Sequence, residues 1–103
     1  MGRDEILARV LDPDDRVVVM TAERWDHIMQ KHPYLGLSVF EVMEIVEFPD
    51  HRTPDPLRDR ERYYGRGVGP SRWVRVVVAF DRVEVGKVLT AFPQHKELDL
   101  EWQ

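Results

Sequence analysis

The chain has 103 residues, a formal net charge of −4 at pH 7 and no cysteine, which excludes disulfides, thiol catalysis and zinc sites built on thiolates. A chain of this length predicts one domain with one small core. No apolar run reaches the ~20 residues that cross a bilayer, and no secretory signal follows the charged start, so a cytoplasmic protein without a membrane partner is expected.

The first recognisable pattern covers residues 3–11. Three apolar residues recur there at helical spacing before an Asp-Pro-Asp break at 12–14, so a short N-terminal helix is expected. The valine-rich run Val17–Met20 then predicts a short strand.

A second helix is predicted from about Ala22 to Lys31 or His32. Thr21 is a suitable N-cap for it. Pro33 disfavours helical geometry in the residue before it and so ends the helix.

Another helix is predicted directly afterwards. Ser38 and Glu41 have the spacing of a capping box, and apolar residues recur at helical intervals after them. Phe48-Pro49 ends this pattern.

The second half of the chain is rich in predicted strands. Residues 51–57 contain two prolines and predict a loop or a poor edge strand. Three strands are expected over Arg60–Gly65, Arg72–Asp81 and Val85–Phe92, the last two as a hairpin. The acidic end, residues 97–103, predicts a loose tail.

These elements predict an α+β fold, with two or three N-terminal helices packed on one face of a mainly antiparallel sheet of about four strands. A functional site would then lie on the open face of the sheet. Six residues from the helices and the valine-rich strand are expected in one core: Trp25, Ile28, Val42, Ile45, Val76 and Val78.

Alternation along the valine-rich strand divides its side chains between two faces. The even positions of 74–80 are apolar and must meet the helices, so Arg75 faces the open side. By the same alternation, six more residues are assigned to the open face: Arg60, Arg62, Tyr64, Val88, Thr90 and Phe92. Residues 51–76 hold seven arginines against three acidic residues, which predicts either an ordinary solvated surface or a cationic floor for an anionic substrate.

Two histidines lie close together on the first long helix. At about 100° per residue, His32 falls near Trp25 on the buried stripe, whereas His27 points outward. Their spacing is not that of a metal-binding pair, so no metal site is expected. The alternative to a catalytic role is that His32 caps the helix C-terminus and that His27 is a solvent-facing polar residue.

An ordered set of motifs carries a resemblance to a known family. The set consists of ERWDHIMQKHPYL, FPD, RERYYGR, RWVRVVVAF and VGKVLTAFPQ. In this order, over about residues 17–95, it resembles the small phage- and prophage-associated members of the barnase/EndoU/colicin/RelE-like nuclease superfamily. The resemblance implies a toxin-like protein that cleaves RNA without a metal or other cofactor on the open face of its sheet.

The resemblance also implies roles for individual residues. A general acid or base would be His27 or His32, with His32 favoured by the helix phase. Phosphate binding would fall to Arg62 and Arg75. Polar roles in the catalytic site would fall to two further side chains, Tyr64 and Thr90.

The sequence therefore predicts an endoribonuclease that uses the 2′-hydroxyl of RNA as the nucleophile. Histidine suits the two proton transfers because its pKa lies near neutrality, and arginine can bind two phosphate oxygens at once. The alternative is a catalytically inactive binding module that uses the same sheet face for a protein or nucleic-acid partner. RNA is the expected partner, a cognate inhibitor or a fused partner protein is a further one, and the oligomeric state is left open.

Overall fold

The computed structural model describes residues 5–66, 73–80 and 85–94. The tail expected at 97–103 lies outside these ranges. In chain order the described elements are β1 (Ile6–Leu11), β2 (Val17–Thr21), α1 (Ala22–Lys31), α2 (Val39–Glu47), β3 (His51–Pro54), β4 (Arg60–Arg66), β5 (Trp73–Ala79) and β6 (Val85–Gln94). Across these ranges, neither helix has the length and apolar character needed to cross a membrane.

All the described strands belong to one mixed six-stranded sheet in the order β1-β2-β6-β5-β4-β3. Neighbours pair antiparallel except β2 and β6, which pair in parallel. The predicted α+β arrangement, with two or three helices on about four mainly antiparallel strands, is therefore wrong. The sheet has six strands and is mixed, and the described residues contain two helices.

The N-terminal helix expected over residues 3–11 is the part of the prediction that fails most clearly. The described part of this segment is β1, which pairs antiparallel with β2. Ala8 and Val10 both pack against the core, which is the period of two that a strand produces. The turn between the two strands contains Asp15 at a positive φ of 63°, a conformation that aspartate tolerates better than most residues.

Both long helices begin where the capping residues predict. The Thr21 side chain accepts a hydrogen bond from the backbone N–H of Arg24 at 3.3 Å. Ser38 and Glu41 form the reciprocal capping box, with donor–acceptor distances of 2.9 and 3.2 Å. These local signals are confirmed because a cap depends only on residues within one turn.

The core lies between the two helices and one face of the sheet. Five of the six residues expected there are buried in it: Ile28, Val42, Ile45, Val76 and Val78. The sixth, Trp25, is partly buried and packs against the same cluster. Among the described residues, no helix covers the opposite face of the sheet along β4 and β5, so this face can carry polar side chains.

A buried carboxylate at Asp12 ties the β1–β2 turn to β4. It accepts hydrogen bonds from the Tyr63 hydroxyl at 2.7 Å and from the Arg16 side chain at 2.8 and 3.1 Å. Burial by itself raises the pKa of Asp12, but the bonds from Tyr63 and Arg16 outweigh it, and the pKa is lowered below 3.8. Burial and the same carboxylate raise the pKa of Tyr63.

We expect Tyr63→Phe to lower the free energy of unfolding by ~1–3 kcal/mol, because it removes a donor from a buried charged acceptor. Urea denaturation at neutral pH measures the change. Tyr34→Phe is the matched control, since the Tyr34 side chain is 85% exposed and its loss should change little.

The effect should also depend on pH. Because folding lowers the pKa of Asp12, its contribution to stability is present above the unfolded value and is lost as pH falls through the folded value. The difference between wild type and Tyr63→Phe should therefore shrink in acid. A Tyr63→Phe variant as stable as Tyr34→Phe at neutral pH would contradict this role for the buried bond.

Candidate functional site

A groove of about 840 Å³ lies on the face of the sheet opposite the core. Its walls come from α1 with the residue that follows it, from the β3–β4 loop, and from β4, β5 and β6. Seven lining residues are basic: Arg24, His27, Lys31, His32, Arg60, Arg62 and Arg75. Among the described lining residues, Asp55 is the one carboxylate. We call this feature the cationic groove.

The cationic groove exists because α1 occupies a gap at the edge of β6. Residues Val17–Val19 of β2 pair with Val85–Lys87 of β6, whereas the last two residues of β2 pair with β1 alone before α1 begins. Arg24 of α1 donates from its Nε and Nη2 atoms to the Leu89 carbonyl at 3.1 and 2.6 Å. The helix therefore replaces β2 along the rest of β6, with one side toward the core and the other toward the open face.

A bulge in β6 decides which of its residues enter the cationic groove. Val88 pairs with Val78 and Thr90 pairs with Val77, so Leu89 is an extra residue on β6. The bulge reverses the alternation, and Val88 turns into the core while Thr90 stays on the open face. The assignment of Val88 to the open face was therefore wrong, because alternation in sequence cannot report an inserted residue.

His27 of α1 and His32, the residue that follows α1, both line the cationic groove. His27 falls between Arg24 and Lys31 at helical spacing, so these three side chains form one stripe. His32 is the C-cap residue and reaches the same groove from the end of the helix. The helix phase predicted that His27 points away from the Trp25 side of α1, and it is the His27 side, with Arg24 and Lys31, that lines the groove.

Strand register brings the predicted sheet residues together. Arg62, Val77 and Thr90 lie side by side on β4, β5 and β6. The next row on the same face consists of Tyr64, Arg75 and Phe92. Arg62, Arg75 and Thr90 all line the cationic groove, as a shared anion site requires.

Tyr64 lies on the predicted face of the sheet but does not line the cationic groove. It is fully buried. The Arg75 guanidinium lies over its ring at 5.2 Å and over the Phe92 ring at 5.4 Å. On the far side of this row, the His32 and Phe92 rings are 5.4 Å apart. Tyr64 and Phe92 therefore fix the positions of Arg75 and His32.

Asp55 forms an ion pair with Arg62, one of the arginines that line the cationic groove. Its carboxylate accepts a hydrogen bond from Arg62 Nε at 3.0 Å and one from the Leu57 backbone N–H at 2.8 Å. Burial acts to raise the pKa of Asp55, but these two bonds lower it overall. Arg62 is thus oriented by an ion pair at the mouth of the groove, with part of its guanidinium already engaged.

The surroundings of His32 change its titration. Burial lowers its pKa below 6.5, and the positive charges of Lys31 and His27 lower it further. The neutral imidazole is therefore the main form at neutral pH. A neutral imidazole beside fixed cations is suited to accept a proton.

The charge of the cationic groove predicts the class of ligand. Five permanently charged side chains converge on one concavity against a single described carboxylate. Such a grouping repels itself unless an anion enters, and guanidinium groups match the geometry of phosphate oxygens.

A group of carboxylates elsewhere has the spacing of a cation site. Oxygens of Asp12, Asp14 and Glu61 lie within 4.8 Å of one another. Guanidinium groups fill this position: Arg16 pairs with Asp12 and Glu61, and Arg52 pairs with Asp14 at 2.9 Å and Glu61 at 3.0 Å. Two arginines therefore balance most of the negative charge of these three carboxylates within the fold.

Sequence reasoning missed several lining residues. Arg24 and Lys31 were recognisable, because with His27 they follow the spacing of one helix face. Asp55 and Leu57 were not, because they lie in the β3–β4 loop and reach the groove only through the path of that loop.

We expect sulfate to raise the thermal unfolding midpoint of this protein more than chloride at equal ionic strength, because it binds the cationic groove. Sulfate keeps its charge while histidine titrates, so the effect should grow as pH falls below 6.5 and His32 gains a proton. Arg75→Gln should reduce the shift. The control is Arg66→Gln, which removes an equal charge outside the groove. Equal losses from the two variants would contradict a localised anion site.

Comparison with protein-family models, curated proteins and solved structures finds no match for this chain. The geometry and charge of the cationic groove are therefore the observations from which a function is inferred.

Proposed function

We propose that the cationic groove binds the phosphodiester backbone of RNA, and that the protein is a cytoplasmic, metal-independent endoribonuclease that cleaves RNA through its 2′-hydroxyl. The observation that carries this proposal is that His27, His32 and the phosphate-binding candidates Arg62 and Arg75 line one groove. The resemblance to the barnase/EndoU/colicin/RelE-like superfamily predicts the same reaction.

The reaction needs a base, an acid and fixed positive charge. The base removes the 2′-hydroxyl proton, the 2′-oxygen attacks phosphorus, and the bond to the 5′-oxygen breaks as the acid donates a proton to it. The products are a 2′,3′-cyclic phosphate and a free 5′-hydroxyl. Two imidazoles beside one anion site can supply both proton transfers.

His32 is proposed as the base. Its pKa is lowered by burial and by neighbouring positive charge, so it is neutral at the pH where the reaction would run. Its ring is also held against Phe92, which restricts its orientation. His27, on the same side of the groove and one helical turn from Arg24, is then proposed as the acid.

The arginines and Thr90 are proposed to stabilise the phosphorane. Arg75, placed over the Tyr64 and Phe92 rings, would bind non-bridging oxygens whose charge grows in the transition state. Arg62 would add a second cation, oriented by Asp55. Thr90 lies in the same row as Arg62, and its hydroxyl can donate to a phosphate oxygen.

Incubation of the protein with mixed RNA in EDTA tests the proposal. We expect fragments that end in 2′,3′-cyclic phosphate, and no cleavage of DNA of the same sequence, because DNA lacks the nucleophile. Fragments that end in 5′-phosphate would contradict this mechanism, since they require water as the nucleophile.

His32→Ala should lower the cleavage rate by ~10²–10⁴-fold, as expected for loss of a general base. In wild type, the rate should rise with pH through the lowered pKa of His32, below 6.5, because the base acts in its neutral form. His32→Ala should lose this dependence. His27→Ala should cause a loss of similar size if it is the acid, whereas an unchanged rate would remove His27 from the mechanism.

The second candidate function is a binding module without catalysis. The Arg62–Asp55 ion pair favours it, because part of one phosphate-binding arginine is already engaged within the fold. RNA binding that depends on Arg75 without any cyclic phosphate product would support the binding module and contradict the nuclease.

A further inference from the structure

We propose that Arg60 and Lys87 form a second phosphate subsite next to the cationic groove, which binds the neighbouring phosphate of a single-stranded RNA. The inference rests on the proposed function for the identity of the ligand. It adds a residue outside the groove, Lys87, and it predicts that the preferred ligand carries several phosphates rather than one.

Strand register places the two cations on one row of the sheet. Arg60 of β4 pairs with Ala79 of β5, and Ala79 pairs with Lys87 of β6. The neighbouring pair, Val78 and Val88, is buried in the core, so the row that contains Arg60 and Lys87 faces the opposite, open side.

The distances across this row suit one phosphate. Adjacent strands are about 4.8 Å apart, so the Arg60 and Lys87 backbones are separated by roughly 10 Å. Ala79 between them carries only a methyl group, and the two long side chains can converge above it. Within the described ranges, neither Arg60 nor Lys87 takes part in an ion pair.

The row adjoins the groove directly. Arg60 lines the cationic groove, and the row of Arg62, Val77 and Thr90 comes next along the strands. Two residues along a strand span about 6.8 Å. An extended single strand advances by a similar length per nucleotide, so a phosphate bound at the row of Arg62 would place its neighbour at Arg60 and Lys87.

A single strand fits this arrangement better than a duplex. Two apolar side chains line the groove, Leu57 of the β3–β4 loop, which is 57% exposed, and Phe92 of β6. Proteins that bind single strands combine a positively charged track with aromatic or apolar surfaces that receive unpaired bases. The proposed track thus runs along β5, from the groove to the row of Arg60 and Lys87.

The subsite is tested by binding of RNA analogues that cannot be cleaved. The probes are a 2′-O-methyl dinucleoside monophosphate, with one phosphate, and a 2′-O-methyl pentanucleotide, with four. We expect wild type to bind the pentanucleotide more tightly and with a steeper dependence on salt. Lys87→Gln should lower affinity for the pentanucleotide about fivefold, reduce its salt slope by about 0.7, and leave binding of the single-phosphate probe unchanged.

Two variants serve as controls. Lys87→Arg keeps the charge and should retain the affinity for the longer probe. Arg66→Gln removes one positive charge from the other end of β4 and should have less effect than Lys87→Gln. Equal effects of Lys87→Gln and Arg66→Gln, or equal affinities of wild type for the two probes, would overturn the subsite.

The outcome is separable from that of the proposed function. If Lys87→Gln weakens only the longer probe while unmodified RNA is not cleaved, the subsite stands and the nuclease fails. If RNA is cleaved and Lys87→Gln binds both probes like wild type, the nuclease stands and the subsite fails.

Discussion

The hydrogen bonds from Arg24 to the Leu89 carbonyl connect the two halves of the molecule that make the site. Leu89 is the bulged residue of β6, on the stretch of that strand that no longer pairs with β2. Its carbonyl would lack a strand partner there, and the Arg24 guanidinium supplies two donors at 3.1 and 2.6 Å. Because this contact fixes α1 against β6, it sets the distance between the helix cations and the sheet cations.

Charge is distributed unevenly between two clusters with different roles. Around Asp12, three carboxylates alternate with two guanidinium groups that form ion pairs with them, so most of the negative charge is balanced within the fold. In the cationic groove, five permanent cations face one described carboxylate, and their repulsion lowers stability. The first cluster stabilises the native state by itself, whereas the second is stabilised when an anion binds.

Features that depend on residues close together in the sequence were predicted correctly, whereas features that depend on distant residues were not. Caps at Thr21 and Ser38 and the apolar face of the valine-rich strand depend on residues a few positions apart, and these predictions hold. The parallel pairing of β2 with β6 joins distant parts of the chain, and β1 becomes a strand because β2 offers it an edge. The bulge at Leu89 cannot be recognised from the alternation of polar and apolar residues around it, so the burial of Val88 in the core could not be predicted.

The same reasoning explains why most of the predicted site residues line one groove although the predicted sheet was wrong. β4 and β5 pair over seven residues without a register shift, so the rows that contain Arg62 and Arg75 follow from alternation alone. The position of His27 depends instead on where α1 lies relative to β6, which is fixed by Arg24 and the bulge. Cations supplied by regular strands were therefore predictable. The place of His27 in the groove was not, because α1 is positioned by the contact of Arg24 with the irregular part of β6.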